Sequence, residues 1–398
     1  MKFWIIILLL LVSCSSNTNN VSRNKDIIVL NIDKLSSDNK LLYSKVFNSY
    51  KIIPLETKES CLIGQIDQIH IANDELYILD SRSAKSLFVF TKTGKYIRKI
   101  GKLGRGPGEY ISPGTFKIND KRKEIYILDR AYQVIYRYDY TGRYLGNIKV
   151  TGDRAADFIV NNQNQLYLNL VFNLGFTGYE NNKYLLRELS FDGKELKKWF
   201  PIPEYGKGWS YNLVHEAFCQ TQHDIKFYGP YLDTIYSIYP NKVKPFMCLS
   251  SDNLLTSKDL MEIKSTEKNS NSMIGLHESD KIWGPTNFYE DNDLIFIVVC
   301  KKFSSYFILF NKQNKNSLAV TVYNFDDDLA FTPHASPPFI GVTQSEFIKV
   351  IRPREIKDFK KKLLDNKNLL SEDEKIKIEQ TSELSNPILI FYETKNEW

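Results

Sequence analysis

A glycine-rich segment at residues 101–110 (GKLGRGPGEY) has the composition of loops that bind phosphate through backbone N–H groups. It lacks the Gly-Lys-Ser/Thr ending of a P-loop, and Pro107 removes one of the backbone donors. We therefore expect these glycines to serve a chain turn that needs positive φ angles. Arg105, Glu109 and Tyr110 remain candidate binding residues, because loops on a rigid scaffold often carry function.

The chain has five histidines, and no two of them are spaced as a metal-ligand pair: His70, His215, His223, His277 and His334. No HxH or HExxH pattern is present, so we expect neither a metal nor another cofactor from local motifs. A site assembled from distant segments stays open, with His215 and His223, each beside an acidic residue, as its candidates. No Gly-x-Ser-x-Gly elbow supports a serine hydrolase, and no catalytic residue is assigned.

Aromatic residues are abundant, with 24 Tyr, 24 Phe and 5 Trp. We expect most of them to pack in a hydrophobic core. Trp209, Tyr211 and Trp283 stand beside glycine- or proline-containing loops, and are the better candidates for stacking on a sugar or a peptide. For these three residues too, packing in the core is the favoured alternative.

Self-similarity is the strongest evidence for the elements that position these residues. The segment Glu75–Asp80 (ELYILD) returns 49 residues later as Glu124–Asp129 (EIYILD). Each copy continues with a polar break, an apolar strand, a tight turn at Gly94 or Gly142, and another strand; a looser third copy has its turn at Gly193. A period near 48 residues with several strands per unit predicts an all-β fold, the β-propeller.

Degraded copies extend this pattern to the end of the chain. A fourth unit covers 233–250 and a fifth covers 293–325. The sixth combines 387–392 with the N-terminal strand at 50–55, which would close the ring and cover its edge strands. Six blades are the best estimate, and seven blades are the alternative.

Two stretches, 252–282 and 344–386, are predicted as short helical insertions that pack on one face. Thr343-x-x-Glu346 fits a capping box and predicts a helix that ends at Pro353. The apolar stripe formed by Ile356, Phe359 and Leu363 indicates a second helix. A more specific alternative is that these insertions form a lid over the central channel of the propeller.

The N-terminus resembles a bacterial lipoprotein signal: Lys2, a ten-residue apolar run, and Ser13 directly before Cys14. The resemblance implies a signal peptide at 1–13, a flexible tether at 14–25 that is lipidated on Cys14, and one propeller domain at 26–398. It further implies attachment to the membrane. Ser15 after the lipidated cysteine favours the outer membrane, and the periplasmic or the surface side stays open.

The net charge and the spacing of the cysteines limit which partners and metal sites we expect. The net charge of +6 is modest and no basic tract is present, so we expect no nucleic acid partner. Cys61, Cys219, Cys248 and Cys300 form no CxxC pair or zinc pattern. We expect these four cysteines to be buried free thiols, and the alternative is that two of them form one disulfide.

Several segments together resemble the 6-bladed β-propeller lipoproteins of gut diderm bacteria, which are related to NHL-repeat propellers. They are the GxGPGEY loop, LYILD before it, DTIY at 233–236 and NPILIFYETK at 386–395, and the resemblance covers about 46–395. The resemblance implies the propeller fold and a location in the cell envelope, but it implies no assigned activity.

The leading hypothesis is a lipid-anchored binding or scaffold module for a glycan, a peptide or an envelope protein. The alternative is a metal-dependent NHL-like propeller lyase or hydrolase, which would need a metal in the central channel. The binding hypothesis requires a concave aromatic or charged patch on one face.

Overall fold

The computed structural model describes residues 27–35, 40–150, 154–170, 184–201, 216–221, 224–229, 231–266, 272–365, 370 and 372–398. In this part of the chain, the strands form six sheets of four or five strands around one axis, together with two small two-stranded pairs. The architecture is a six-bladed β-propeller, as predicted, and the seven-bladed alternative is wrong.

The N-terminal elements precede the first complete blade: β1 (Ile28–Asn31), β2 (Leu41–Leu42), α1 (Tyr43–Val46) and β3 (Phe47–Pro54). Blade one contains β4 (Gln68–Ala72), β5 (Glu75–Asp80), β6 (Ser86–Thr91) and β7 (Tyr96–Ile100). The small pair β8 (Lys102–Leu103) and β9 (Glu109–Tyr110) follows. Blade two contains β10 (Pro113–Asn119), β11 (Glu124–Asp129), β12 (Val134–Asp139) and β13 (Tyr144–Lys149).

Blade three contains β14 (Ala155–Val160), β15 (Gln165–Leu170), β16 (Tyr184–Ser190) and β17 (Glu195–Pro201). Blade four contains β18 (Phe218–Gln220), β19 (Ile225–Phe227), β20 (Thr234–Tyr239) and β21 (Lys242–Ser250), and α2 (Ser257–Thr266) and α3 (Ser272–Glu278) follow it. Blade five contains β22 (Ile282–Glu290), β23 (Leu294–Lys301), β24 (Ser304–Asn311) and β25 (Ser317–Thr321), and β26 (Phe325–Asp326) follows. Blade six contains β27 (Gly341–Val342), β28 (Glu346–Ile351) and β29 (Ile388–Thr394), with α4 (Ile356–Asp365) and α5 (Glu372–Glu379) inserted before β29.

The second strand of each repeat is apolar at nearly every position because both faces of a blade are covered. In β5, Leu76 and Ile78 pack in a core cluster with side chains of blade six. Tyr77 and Leu79, which point the other way, pack in a cluster with blade two. The continuous apolar run ELYILD therefore follows from burial on both sides of the sheet.

The two faces of the ring differ in their connections. On the face that we call the short-turn face, all connections between consecutive strands have two to five residues. Three of these turns use Gly94, Gly142 and Gly193 at φ +85°, +90° and +88°, as the Thr-Gly and Asp-Gly signals predict. On the opposite, long-loop face, the connections reach 36 residues and include all four helices of the insertions.

The ring is closed by pairing the two ends of the chain. β3 forms the outer strand of blade six and pairs antiparallel with β29, with Tyr50 opposite Tyr392. This is the predicted closure. β1 adds a fifth strand to blade four, parallel to β21, and covers that outer edge.

The prediction of a helix after Thr343 is wrong. Residues 346–351 form β28, which pairs along its whole length with β29. Thr343 Oγ1 accepts a hydrogen bond from the Glu346 N–H, at 2.9 Å, but as part of a tight turn. Phe347, Ile348 and Ile351 are all buried, so this segment needs the two covered faces of a blade strand and not the single covered face of a helix.

The other helical predictions are confirmed. Ile356, Phe359 and Leu363 are the buried residues of α4, and α2 and α3 lie in the first predicted insertion. Of the four cysteines that follow Cys14, Cys61, Cys219 and Cys248 are buried, Cys300 is half-buried, and all four are free thiols. Within the residues described here, no helix has the length and apolar character needed to cross a membrane.

Candidate functional site

A cavity of about 650 Å³ lies on the propeller axis and opens on the long-loop face; we call it the axial pocket. Its mouth is formed by loop residues 64–67, 335–340 and 352–354, and the inner strands of the blades line its depth. These loops are the connections into blades one and six and the start of the blade-six insertion. The pocket is therefore the concave patch that the binding hypothesis requires.

One half of the channel, from blade one to blade four, is polar and connected by hydrogen bonds. Gln68 Oε1 accepts from Thr115 Oγ1 at 3.2 Å and from the Phe116 N–H at 2.9 Å. Thr115 Oγ1 also contacts Asp157 Oδ1 at 3.1 Å, and the Ala217 N–H donates to Asp157 Oδ2 at 2.8 Å. These bonds tie the innermost strands of four successive blades together.

Lys117 is the charged centre of this half. Its ammonium lies 3.3 Å from Asp157 Oδ1 and 3.5 Å from Glu216 Oε2, and its side chain is 3% exposed. Burial lowers the pKa of Lys117, but the two carboxylates outweigh burial and raise it above its ordinary value. Lys117 therefore stays charged, and Glu216, 27% exposed, is the member of the cluster that reaches the axial pocket.

His70 lines the pocket as a neutral imidazole. Burial, reinforced by the charge of Lys117, lowers the pKa of His70 to about 3. Because the Phe116 N–H fixes the amide of Gln68, the Gln68 Nε2–H donates to His70 Nε2 at 3.2 Å. The ring proton then belongs on Nδ1, and the ring packs edge-on against Phe116.

Blades five and six contribute an apolar wall to the other half of the pocket. Its wall is formed by Phe288, Phe339, Ile340, Val342 and Val350. Phe288 and Phe339 belong to two large core clusters, so this wall is held rigidly. The pocket thus presents a polar side and an apolar side to one ligand.

On the long-loop face, the loops of blades one and two are fastened by the aspartates that end the repeated motif. Asp80 accepts hydrogen bonds from the Gly64 N–H at 2.8 Å and the Ser83 N–H at 2.7 Å. Asp129 accepts equivalent bonds from the N–H groups of Ile111 and Ala131, at 2.7 and 2.8 Å. Each aspartate joins the loop that enters its blade to the loop that follows its own strand.

Arginines stand on these loop ends in three consecutive blades. The group, which we call the arginine rim, consists of Arg82, Arg130, Arg352 and Arg354. Arg352 and Arg354 line the axial pocket. Arg82 and Arg130 line a small adjoining cleft of about 20 Å³ that shares Asp67 and Glu216 with the pocket. No local motif predicts this rim, although Arg130 directly follows Asp129 and Arg82 lies two residues after Asp80.

The predicted residues of the glycine-rich loop lie away from the residues that line the axial pocket. Glu109 is engaged locally, accepting from the Gly106 N–H at 2.8 Å and pairing with Lys102 at 2.9 Å. Tyr110 is fully buried and donates to the Ile100 carbonyl at 2.8 Å. Arg105 is exposed. A binding role for these three residues stays a prediction.

The remaining predicted residues lie elsewhere. Trp283 is 4% exposed and packs in a core cluster with side chains of α2, α3 and blade four. Cys14, Trp209, Tyr211, His215 and His223 lie outside the described residues. In the described part of the chain, no three His, Cys, Asp or Glu side chains are grouped as metal ligands.

The chain is similar to known proteins in sequence and in structure. Residues 27–393 match the family model DUF4934, a domain of unknown function. A presumed exported protein of Bacteroides fragilis has a similar structure, with 20% identity, a TM-score of 0.75, and coverage of 93% of this chain and 99% of that chain.

A DUF4221-family protein of Bacteroides vulgatus is 12% identical, with a TM-score of 0.51 over 88% of this chain and 97% of that chain. At these identities the likeness concerns the fold alone. No curated protein matches the sequence.

Proposed function

The chain belongs to the DUF4934 family, and from this premise we propose that it is a lipid-anchored binding module of the cell envelope that holds a small ligand in its axial pocket. The ligand is a small molecule, or the end of a short peptide or glycan. The rigid propeller positions the pocket, and no chemistry on the ligand is required.

The axial pocket is the observation that carries this proposal. Its volume of about 650 Å³ falls within the roughly 300–1,000 Å³ of small-ligand sites. A protein partner would instead need a broad surface of about 800 Å² on each side. The combination of an apolar wall with a few fixed polar groups is also typical of ligand sites.

Two observations support an address outside the cytoplasm. The N-terminus has the lipoprotein-like signal that ends at Cys14, and the similar B. fragilis protein is described as exported. The direction of β1 adds an orientation: it runs parallel to β21, from the short-turn side toward the long-loop side. A tether that enters blade four from the short-turn side is consistent with a pocket that faces away from the membrane.

The test uses the full chain purified from envelopes, with its bound small molecules identified by mass spectrometry. Ala335→Trp places an indole at the pocket wall. Ala131→Trp, on an exposed loop of the same face, is the matched control. We expect at least one molecule that co-purifies with the wild type and Ala131→Trp but not with Ala335→Trp. The same molecules on all three proteins would contradict the proposal.

A further inference from the structure

The charges around the pocket mouth are unevenly balanced, because most acids there are already engaged. Asp67 accepts from the Ser81 N–H at 2.8 Å and lies 3.7 Å from Arg82 Nε. Glu216 faces Lys117. Arg352 contacts Glu355, with 3.3 Å between Nη1 and Oε1. Each of these acids therefore has a basic partner.

Arg130 and Arg354 are different. Among the described residues, neither guanidinium has a carboxylate within ion-pairing distance or a hydrogen-bond acceptor. Each guanidinium offers five N–H donors in a planar fork that suits a carboxylate or a phosphate. The mouth of the pocket, at Arg354, and the adjoining cleft, at Arg130, thus each carry a basic group with unused donors.

The side chain of Arg130 lies over the inner strand of its blade, at a position where residue 114 is a glycine and leaves room for it. A Cβ atom at Gly114 would lie only 2.3 Å from Arg130 Nε and 2.4 Å from its Cδ and Cγ. The arginine therefore lies flat across Gly114 and lines the small cleft, which has room for about one water-sized atom. One oxygen of an anionic group would fill this space.

We infer that the ligand joins an apolar body to an oxyanion, a carboxylate or a phosphate, and that Arg130 binds the oxyanion while the body lies against the wall at Phe288 and Phe339. This inference rests on the proposed function, and it names the chemical class of the ligand. The cleft and the pocket adjoin at Asp67 and Glu216, and the proposed ligand spans both.

The test is calorimetric titration of the full chain in lipid nanodiscs, with empty nanodiscs subtracted. The probes share a naphthalene body: 2-naphthoate, 2-naphthyl phosphate and the neutral 2-naphthamide. We expect at least one anion to bind about tenfold more tightly than the amide, as a charge-assisted pair predicts. Whichever anion binds more tightly distinguishes a carboxylate ligand from a phosphate ligand.

Arg130→Gln is expected to remove this preference and to leave binding of 2-naphthamide unchanged. Arg130→Lys keeps the charge and is expected to retain part of the preference. Arg143→Gln removes the same charge on the short-turn face, where Arg143 pairs with Asp139 at 3.0 Å, and is the matched control.

Equal binding of anions and amide overturns the inference and leaves the proposed function standing. An anion preference that persists in Arg130→Gln overturns the role of Arg130. Binding of none of the probes overturns the inference, and the small molecules retained by the wild type and lost in Ala335→Trp then judge the proposed function separately.

Discussion

The two faces of this propeller are built from the same blades, but their connections contribute differently to the candidate site. On the short-turn face, connections of two to five residues only reverse the chain. On the long-loop face, the connections carry helices, arginines and the walls of the axial pocket. The difference shows that the repeat sets the scaffold, while loop length on one face creates the site.

The buried charged cluster around Lys117 gives the largest expected effect. Lys117→Met leaves Asp157 and Glu216 without their buried cation, and we expect a loss of about 4 kcal/mol in the free energy of unfolding. Denaturant unfolding measures it. The double variant Lys117→Met/Asp157→Asn removes one stranded charge and is expected to be more stable than the single variant; an equally unstable double variant would show that the ion pair is not the cause.

Two aspartates at opposite ends of one strand pair compare the faces directly. Asp129, fully buried on the long-loop face, accepts from four backbone N–H groups of two loops. Asp139, 23% exposed on the short-turn face, caps only its own turn. We expect Asp129→Ala to cost about 3 kcal/mol and Asp139→Ala about 1 kcal/mol or less in chemical unfolding. Equal losses would break the comparison.

Within the short-turn face, the three glycine turns are not equivalent. A Cβ atom on Gly94 would meet the Pro54 carbonyl oxygen at 2.2 Å, whereas one on Gly193 would lie 3.6 Å from its nearest neighbour. Both residues have positive φ, which costs an alanine about 1 kcal/mol. For Gly193→Ala we expect the free energy of unfolding to fall by about this amount. For Gly94→Ala we expect a fall of about 3 kcal/mol, because the backbone near Pro54 must also shift. Thermal unfolding measures both losses.

The last expected effect concerns pH and develops only in acid, below about pH 6.5. The pKa of His70 is lowered from about 6.5 to about 3 in the folded protein, chiefly by burial and next by Lys117. The unfolded chain therefore binds more protons at this site, so its contribution to stability is complete above pH 6.5 and is lost as the pH falls toward 3. His70→Asn should flatten the stability profile in that window. A profile parallel to that of the wild type would exclude His70 as the titrating group.

The scaffold could be predicted from the sequence because its signals are local and repeated. The ELYILD segments, the glycine turns and the joining of 387–392 with 50–55 all gave correct strands. The segment 346–351 failed, because Thr343 and Glu346 imitate a helix cap while the burial that selects a strand depends on β29, some forty residues away.

The site could be predicted only in kind. A concave patch on a propeller face was foreseen, but Arg82, Arg130 and Arg352 are brought together by ring closure across most of the chain. Glu216 and His70 line one pocket because the ring places blades one and four around the same axis. No spacing within the sequence records such a meeting, and the predicted residues of the glycine-rich loop followed a local motif instead.

The pairing of β3 with β29 also makes closure of the ring depend on both ends of the domain. Residues 47–54 leave the ribosome early, but their hydrogen-bonding partner, residues 388–394, is the last strand to appear. Until then the ring is an open arc with an unsatisfied strand at its start. A chain that ends anywhere before residue 388 therefore lacks the partner of β3, and this strand keeps unpaired backbone groups along one edge.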